Sequence, residues 1–219
     1  MIIDLNIEGK DVIVIGGGQE GTRKVQALLG QKCNVILISD NFDDYLYNLA
    51  KDNNIKIIQR KLVDASILDE LNIKPFMVLA ATDDKELNRK FVEKARELGA
   101  LAYAADDPSV SDFIHPAIIN IKDTLFIAIS TKGASPAMAR VLRMRVEDAL
   151  KDIITDEDLA MIKVANYARN EAINRLKNAE ERKRYLYEVI NNDAIKTMIK
   201  NNKLEDAKKE AIKILERWS

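Results

Sequence analysis

Short apolar runs alternate with amphipathic stretches through the first half of the chain. Five apolar runs have the length of buried strands: Val12–Ile15, Val35–Ile38, Ile55–Ile58, Phe76–Ala81 and Ala100–Ala105. Stretches with a helical hydrophobic period separate them: Arg23–Gln31, Tyr45–Asp52 and Lys85–Leu98. Because apolar strands joined by helical crossovers form a parallel sheet covered on both faces, this half predicts an α/β domain.

The second half departs from this alternation. Ala117–Ile121 and Leu125–Ile129 flank a three-residue polar turn, which predicts a hairpin outside the parallel sheet. Residues 137–219 contain neither glycine nor proline, so nothing there forces the backbone out of a helix. Thr155 to Asp158 matches a capping box and predicts a helix start. The chain is therefore divided into an α/β domain over residues 1–113, a hairpin-plus-helix dimerisation region over 114–150 and an all-helical region over 151–219.

Composition narrows the class of protein. The 219 residues include 34 basic and 35 acidic ones, a balance that argues against nucleic-acid binding by bulk charge. No apolar run approaches the ~18 residues that span a bilayer, and Asp4 and Glu8 interrupt the start, so neither a membrane protein nor a secreted one is expected. One cysteine, Cys33, and one histidine, His115, exclude an internal disulfide and a Cys/His metal cage and fit a reducing cytoplasm. His115, beside Pro116, is expected to pack rather than to catalyse.

The turn after the first strand is the most informative segment. Gly16, Gly18 and Gly21 form a Gly-x-Gly-x-x-Gly motif between a strand and a helix. The first glycine permits a tight turn, the second lets the backbone approach a pyrophosphate, and the third lets the helix pack closely. The helix N-terminus adds unpaired N–H groups and a partial positive charge. The motif predicts a Rossmann-type domain that binds a dinucleotide.

An acid follows the second strand at the position where such domains bind ribose. A carboxylate at Asp40 would accept hydrogen bonds from both ribose hydroxyls and repel a 2′-phosphate, so NAD is predicted in preference to NADP. Ser39 could share this role. The alternative is that Asp40 only begins a polar turn with Asn41.

The end of the fourth strand is a second place where a cofactor is expected. Ala81 is small enough for a cofactor to lie against the backbone, and Thr82 could donate a hydrogen bond. Asp83 or Asp84 is expected to cap the helix that follows. The predicted cofactor contacts are Gly16, Gly18, Gln19, Glu20, Gly21, Ser39, Asp40, Asn41, Ala81 and Thr82.

A carboxylate also ends the fifth strand. With no histidine pair or cysteine cluster in the chain, Asp106 is the leading candidate for a general base. Asp107 precedes Pro108 and is interpreted as a turn residue. Asp106, one residue deeper, is predicted to face the nicotinamide end of a cofactor bound at the glycine motif.

Five motifs occur in order between about residues 10 and 150. They are Gly16-Gly17-Gly18-x-x-x-x-Arg23-Lys24, Ala80-Ala81-Thr82-Asp83-Asp84-x-x-x-Asn88, Asp106-Asp107-Pro108, Phe113-Ile114-x-Pro116-Ala117-Ile118 and Ser130-Thr131-x-Gly133-x-Ser135-Pro136. Together they resemble the precorrin-2 dehydrogenase family, the dehydrogenase module of siroheme synthase. The family usually has a small apolar pair where Glu20 and Gly21 stand, and its acid after the second strand is not uniform.

The resemblance implies oxidation of precorrin-2 to sirohydrochlorin with NAD as the hydride acceptor, in siroheme or other modified tetrapyrrole biosynthesis. It also implies that Asp106 takes a proton as the hydride leaves. Some members insert ferrous iron as well, an activity that the residues of this chain do not demand.

The segment after the hairpin has a physical interpretation of its own. Ser135 is predicted to cap a helix whose first residue is Pro136 and which carries Arg140 and Arg143. Such a helix start is a candidate site for the carboxylates of precorrin-2, and a solvated basic face is the alternative. The predicted substrate contacts are Ser130, Thr131, Lys132, Ser135, Arg140 and Arg143.

Two further expectations concern partners and the competing function. The apolar hairpin would be an association hazard if exposed, which predicts a homodimer. A nucleotide-sensing regulatory domain would share the glycine turn and the acid after the second strand without needing a base. The hairpin, the Ser135-Pro136 helix start and the glycine-free helical tail favour the enzyme.

Overall fold

A computed structural model describes residues 2–42, 44–52 and 55–218 of the chain. Met1 and Ser219, the outer limits of the predicted regions, lie outside the described residues. The chain divides into two compact units, Met1–His115 with Lys132–Ala134, and Pro116–Thr131 with Ser135–Ser219.

The first unit is built on a five-stranded parallel sheet in the order β3-β2-β1-β4-β5. Its strands are β1 (Asp11–Ile15), β2 (Asn34–Ser39), β3 (Lys56–Gln59), β4 (Met77–Ala80) and β5 (Leu101–Ala104). Its helices are α1 (Gln19–Leu28), α2 (Asp44–Asp52), α3 (Ile67–Glu70) and α4 (Lys85–Glu97), and a 3₁₀ turn covers Pro108–Val110. The predicted Rossmann-type fold is confirmed.

Alternate side chains of β1 enter two different cores. Val12 and Val14 pack with residues of α1 and α2 on one face of the sheet, whereas Ile13 and Ile15 pack with Phe91 and other residues of α3 and α4 on the other. These four apolar side chains of β1 are fully buried, and each such burial is worth roughly 1.5–3 kcal/mol. This two-sided burial explains why the strands are continuous apolar runs rather than alternating ones.

The sheet order places a crevice beside β1. The strand pairs with β2 on one side and with β4 on the other, so the chain winds outward in both directions from it. Ligands bind at the carboxyl ends of the strands at such a reversal. The first helix begins at Gln19, earlier than the predicted Arg23, because Gly21 lies inside the helix rather than before it.

The second unit begins with an antiparallel hairpin of β6 (Ala117–Ile121) and β7 (Leu125–Ile129), with the predicted bounds. Lys122 and Asp123 in its turn both have positive φ, 51° and 50°. The helices that follow are α5 (Pro136–Leu150), α6 (Asp156–Arg175), α7 (Ala179–Asn191), α8 (Asp193–Lys200) and α9 (Leu204–Glu216). The predicted hairpin and helical region are therefore confirmed.

Helices α6 to α9 enclose a core of their own. The fully buried Tyr185 donates its hydroxyl to the carbonyl oxygen of Ala211 at 2.9 Å, which satisfies the polar end of a large apolar side chain. Thr155 and Asp158 form the predicted capping box at the start of α6. Across the described ranges, every helix is too short or too polar to cross a membrane.

Candidate functional site

The turn between β1 and α1 is shaped by glycines that have no room for a side chain. Gly16 has φ +110°, and a Cβ there would lie 2.4 Å from the carbonyl oxygen of Ala81. A Cβ on Gly17 would lie 2.1 Å from the carbonyl oxygen of Asn41, and one on Gly21 would lie 1.9 Å from that of Gly16. These close contacts bring the start of α1 onto the carboxyl edge of the sheet.

Gly18 differs from its neighbours in this turn. It is the N-cap of α1, and a Cβ on it would meet nothing within 4 Å. The missing side chain leaves open space in front of the helix start, where the first N–H groups of a helix have no intrahelical partner. An anion can approach the main chain there without a steric obstacle.

The glycine turn opens onto a cavity of about 580 Å³, here called the glycine cavity. Its walls come from the segments that follow β1, β2, β3 and β4. It is lined by Gly16, Gly17, Gly18, Ser39, Asp40, Asn41, Phe42, Leu62, Thr82, Asp83, Asp84 and Leu87. Six predicted cofactor contacts are in this wall: Gly16, Gly18, Ser39, Asp40, Asn41 and Thr82.

Four other predicted cofactor contacts are not in that wall: Gln19, Glu20, Gly21 and Ala81. The carboxylate of Glu20 instead pairs with Lys24 at 3.1 Å along α1. Ala81 is buried, and its N–H donates to the carbonyl oxygen of Ile15 at 2.8 Å. Sequence reasoning missed the apolar wall residues Phe42, Leu62 and Leu87, whose only signal was their closeness to strand ends.

The charged residues in the wall of the glycine cavity are all acidic. Asp40 is exposed and only 3.5 Å from the hydroxyl of the buried Ser39, so its carboxylate is accessible to a ligand. Asp84 accepts from the N–H of Leu87 at 3.1 Å and is the expected N-cap of α4. None of the wall residues that the structure describes is a lysine or an arginine.

A cation near the end of β2 is already neutralised. Arg60 directly follows β3, and its N–H donates to the carbonyl oxygen of Ser39 at 2.7 Å. Its guanidinium forms a two-pronged ion pair with the carboxylate of Glu70. The hydrogen bonds from Arg60 hold the pKa of Glu70 below its ordinary value.

Asp106 lines a second, smaller cavity of about 240 Å³ rather than the glycine cavity. Its side chain is exposed, and its Oδ1 accepts from Nδ2 of Asn88 at 2.6 Å. Asn88 also bonds to Thr82, which lines the glycine cavity. The buried amide of Asn88 therefore connects the walls of the two cavities.

Asp107 is occupied by the turn that follows it. Its Oδ1 accepts from the hydroxyl of Ser109 at 2.6 Å and from the N–H of Ser109 at 2.9 Å. These bonds, with the charge of Arg89 nearby, hold the pKa of Asp107 below its ordinary value. Both carboxylates border the small cavity, and they differ in their partners, since Asp107 caps a turn while Asp106 accepts from Asn88.

The start of α5 has the predicted cap. Ser135 accepts from the N–H of Met138 at 3.2 Å, and Pro136 is the first helical residue. The hydroxyl of Thr131 accepts from the N–H of Ser135 at 3.1 Å and donates to its carbonyl oxygen at 3.2 Å. Of the predicted substrate contacts, the structure thus brings Thr131 and Ser135 together.

The other predicted substrate contacts are arranged differently. Arg143 forms an ion pair with Glu147 at 2.7 Å on the same helix. Arg140 is exposed, and Lys132 has a positive φ of 54°. Ser130 directly follows β7.

An aromatic cluster lies beside α1. The buried Lys24 donates to the hydroxyl of Tyr103 at 3.1 Å, and Tyr103 stacks on Phe113. His115 is edge-on to both rings, with centroids 4.8 and 5.3 Å away. Loss of solvent around the imidazole, together with the charge of Lys24, lowers the pKa of His115 to about 4. His115 is therefore neutral near pH 7, and its ring packs against this cluster although the residue as a whole is exposed.

Comparison with known proteins gives three kinds of match. A family model described as NAD(P)-binding matches residues 3–117. The siroheme synthase of Neisseria meningitidis serogroup C is 29% identical over 97% of this chain and 42% of its own length. That of Mannheimia succiniciproducens is 31% identical over 94% of this chain and 41% of its own length.

A solved structure titled SirC, precorrin-2 dehydrogenase, has the same fold. It superposes with a TM-score of 0.64 at 19% sequence identity, covering 97% of this chain and 99% of that one. The chain spans about two fifths of the length of the curated relatives named above.

Proposed function

Because the chain belongs to the NAD(P)-binding family whose model matches residues 3–117, we propose that it oxidises precorrin-2 to sirohydrochlorin with NAD as the coenzyme. The siroheme synthase relatives confirm the resemblance of this chain to the precorrin-2 dehydrogenase family. They also support precorrin-2 as the substrate. The observation that carries the proposal is the connection of the glycine cavity to the carboxylate of Asp106 through one buried amide, that of Asn88.

The glycine cavity fits a dinucleotide. The open space at Gly18 lets the main chain approach a pyrophosphate, and the ten-residue helix α1 points its N-terminus towards that space. The exposed carboxylate of Asp40 would accept hydrogen bonds from the ribose hydroxyls, and Ser39 and Asn41 lie beside it. Bound NAD would supply the hydride acceptor.

The charges of the cavity favour NAD over NADP. A 2′-phosphate near Asp40 would face a carboxylate, and the described wall contains no lysine or arginine to compensate. Arg60, the cation beside Ser39, is held by Glu70. This supports a coenzyme without the extra phosphate.

Asp106 is proposed as the general base. Oxidation of precorrin-2 removes a hydride and a proton, and a carboxylate in an open cavity can accept the proton. Oδ1 of Asp106 already accepts from Asn88, so Oδ2 would take the proton from the substrate. Asp107 is a poorer candidate because Ser109 occupies it.

The start of α5 is proposed to hold the carboxylate side chains of the substrate. The candidates are the six predicted contacts, Ser130, Thr131, Lys132, Ser135, Arg140 and Arg143. The guanidinium groups of Arg140 and Arg143 suit carboxylates because they can donate two parallel hydrogen bonds. Binding by Arg143 would exchange its ion pair with Glu147 for one with the substrate.

A homodimer is proposed from the apolar surface of the second unit. Large apolar side chains are exposed on the hairpin and on α5: Ile118, Phe126, Met138, Val141 and Met144. Burial of such side chains against a second copy would remove them from water. Light scattering that gives twice the mass of the 24.7 kDa chain supports this, and a monomer contradicts it.

The test of the proposed reaction is anaerobic incubation of the full chain with NAD and precorrin-2. We expect the absorbance of sirohydrochlorin to rise together with that of NADH. Reactions without NAD, or with NADP in its place, are the controls. Tight NAD binding without turnover would overturn the dehydrogenase and support the nucleotide-sensing domain instead.

A further inference from the structure

The side-chain amide of Asn88 uses its full hydrogen-bonding capacity. Its Oδ1 accepts from the N–H of Thr82 at 3.0 Å and from the hydroxyl of Thr82 at 2.7 Å. Its Nδ2 donates to the carbonyl oxygen of Thr82 at 3.0 Å and to Oδ1 of Asp106 at 2.6 Å. Two acceptor positions and two N–H groups are all that an asparagine amide has. Asn88 is only 1% exposed, so its amide is shielded from water.

The backbone of Thr82 fixes which way this amide points. Its N–H needs an acceptor and its carbonyl oxygen needs a donor, so a flipped amide would oppose both groups. An N–H of Asn88 must therefore face Asp106. Oδ1 of Asp106 is consequently an acceptor, which is the natural state of a carboxylate.

We propose that Asn88 is a positioning residue that orients the carboxylate of Asp106 and directs the incoming proton to Oδ2. This inference rests on the proposed function, in which Asp106 is the base. Asp106 is exposed, and without the amide its side chain would be free to rotate in the cavity. Thr82 lines the glycine cavity, so the same amide sets the base relative to the strand end that borders the cofactor.

A merely structural Asn88 would hold the loop after β4 and nothing more. The two roles separate in the variants Asn88→Ala, which removes the donor, and Asn88→Asp, which keeps the shape but turns a carboxylate oxygen towards Asp106. Lys90→Ala, on the exposed side of the same helix, is the matched control. Thermal unfolding of each protein reports on the fold.

The first readout is steady-state turnover of precorrin-2 with NAD, in which we expect the KM values for both substrates to stay nearly unchanged. We expect kcat to fall about 10²-fold in Asn88→Ala, the loss typical of a misplaced catalytic group. In the Asp106→Asn background, Asn88→Ala should lower kcat little further, because Asn88 acts on the reaction through Asp106. Lys90→Ala should match the unsubstituted protein.

The second readout needs no turnover. The carboxylate of Asp106 should have one orientation in a crystal structure of the unsubstituted protein and a different or mixed orientation in both Asn88 variants. An unchanged orientation of Asp106 in a folded variant overturns the inference, as does an equal loss of kcat with and without the Asp106 carboxylate. Failure of the unsubstituted protein to oxidise precorrin-2 overturns the proposed function instead, and the orientation of Asp106 in the crystal structures distinguishes these two results. If Asn88→Ala does not fold, the same two readouts on the isosteric variant Asn88→Asp test the inference.

Discussion

A Cβ placed on Gly21 would lie 1.9 Å from the carbonyl oxygen of Gly16. Gly21, which lies inside α1, thus lets this helix pack directly against Gly16, the residue that follows β1. Gly18, between them in sequence, has open space around it. The three glycines of one motif therefore have separable tasks, two in packing and one in leaving room for a ligand.

We expect Gly21→Ala to destabilise the first unit by ~1–3 kcal/mol or more, because the added methyl must push α1 away from the turn. Thermal unfolding measures the change. The matched control is Gly18→Ala, which should keep the melting temperature while weakening NAD binding in a calorimetric titration. Equal melting temperatures for the two variants would contradict the assignment.

Asp40→Asn should reduce the preference for NAD over NADP. A hydrogen bond to a charged group is worth about 1.5–3 kcal/mol, which corresponds to roughly 10-fold or more in affinity for the ribose. The ratio of kcat/KM for the two coenzymes is the measurement. Asp52→Asn, which removes a charge from the exposed end of α2, should leave the ratio unchanged. A ratio unaffected by Asp40→Asn would place the ribose elsewhere.

Asp106→Ala should retain NAD binding and lose turnover by ~10²–10⁴-fold, the contribution typical of a general base. Single-turnover rates with precorrin-2 and a separate NAD titration measure the two effects. Asp107→Asn provides the comparison, since Asp107 caps the 3₁₀ turn and should lose far less rate. Near-normal turnover in Asp106→Ala would show that another residue is the general base.

His115 should make the protein less stable in mild acid. Its pKa is lowered from 6.5 to about 4 in the folded protein, so between these values the unfolded chain binds a proton that the folded one does not. The free energy of unfolding therefore falls as the pH drops from 6.5 towards 4. His115→Phe, which keeps the aromatic packing, should lose less stability between pH 7.5 and pH 5 in denaturant titrations. Identical pH dependence in both proteins would be evidence against this role.

Thr155→Ala should destabilise the second unit by ~1 kcal/mol, the usual loss on removing an N-cap side chain. Thr155 accepts from the N–H of Asp158 at 3.2 Å, while Asp158 accepts from the N–H of Thr155 at 2.8 Å. Chemical denaturation followed by circular dichroism measures the loss. Thr197→Ala, in the middle of α8, should cost less, and a larger loss there would argue against the capping assignment.

The fold was largely predictable because its strands are buried on both faces. Apolar runs on β1, β2 and β4 have no solvent-facing alternation to obscure them, and the predicted strand bounds hold to within one residue. The start of α1 was placed too late because Gly21 was interpreted as part of the turn. Its place inside the helix depends on a contact with Gly16 that is visible only in three dimensions.

The candidate site was predictable only in part. The open space at Gly18 and the exposed carboxylate of Asp40 follow from the motif and its spacing. Glu20 was assigned by its place in the motif, but it pairs with Lys24 along the helix. Asn88 belongs to the second of the five motifs, but the sequence indicated no role for it. Its partner Asp106 is brought close only by the pairing of β4 with β5.

The pairing of β4 with β5 also stabilises the geometry of the site. Ala80 on β4 and Ala104 on β5 are register partners, and Thr82 and Asp106 each follow two residues later. A slip of one residue would move each buried side chain of a strand to the opposite face of the sheet, where it would no longer fit the residues packed there. The packing of the apolar interior therefore fixes the separation of Thr82 and Asp106.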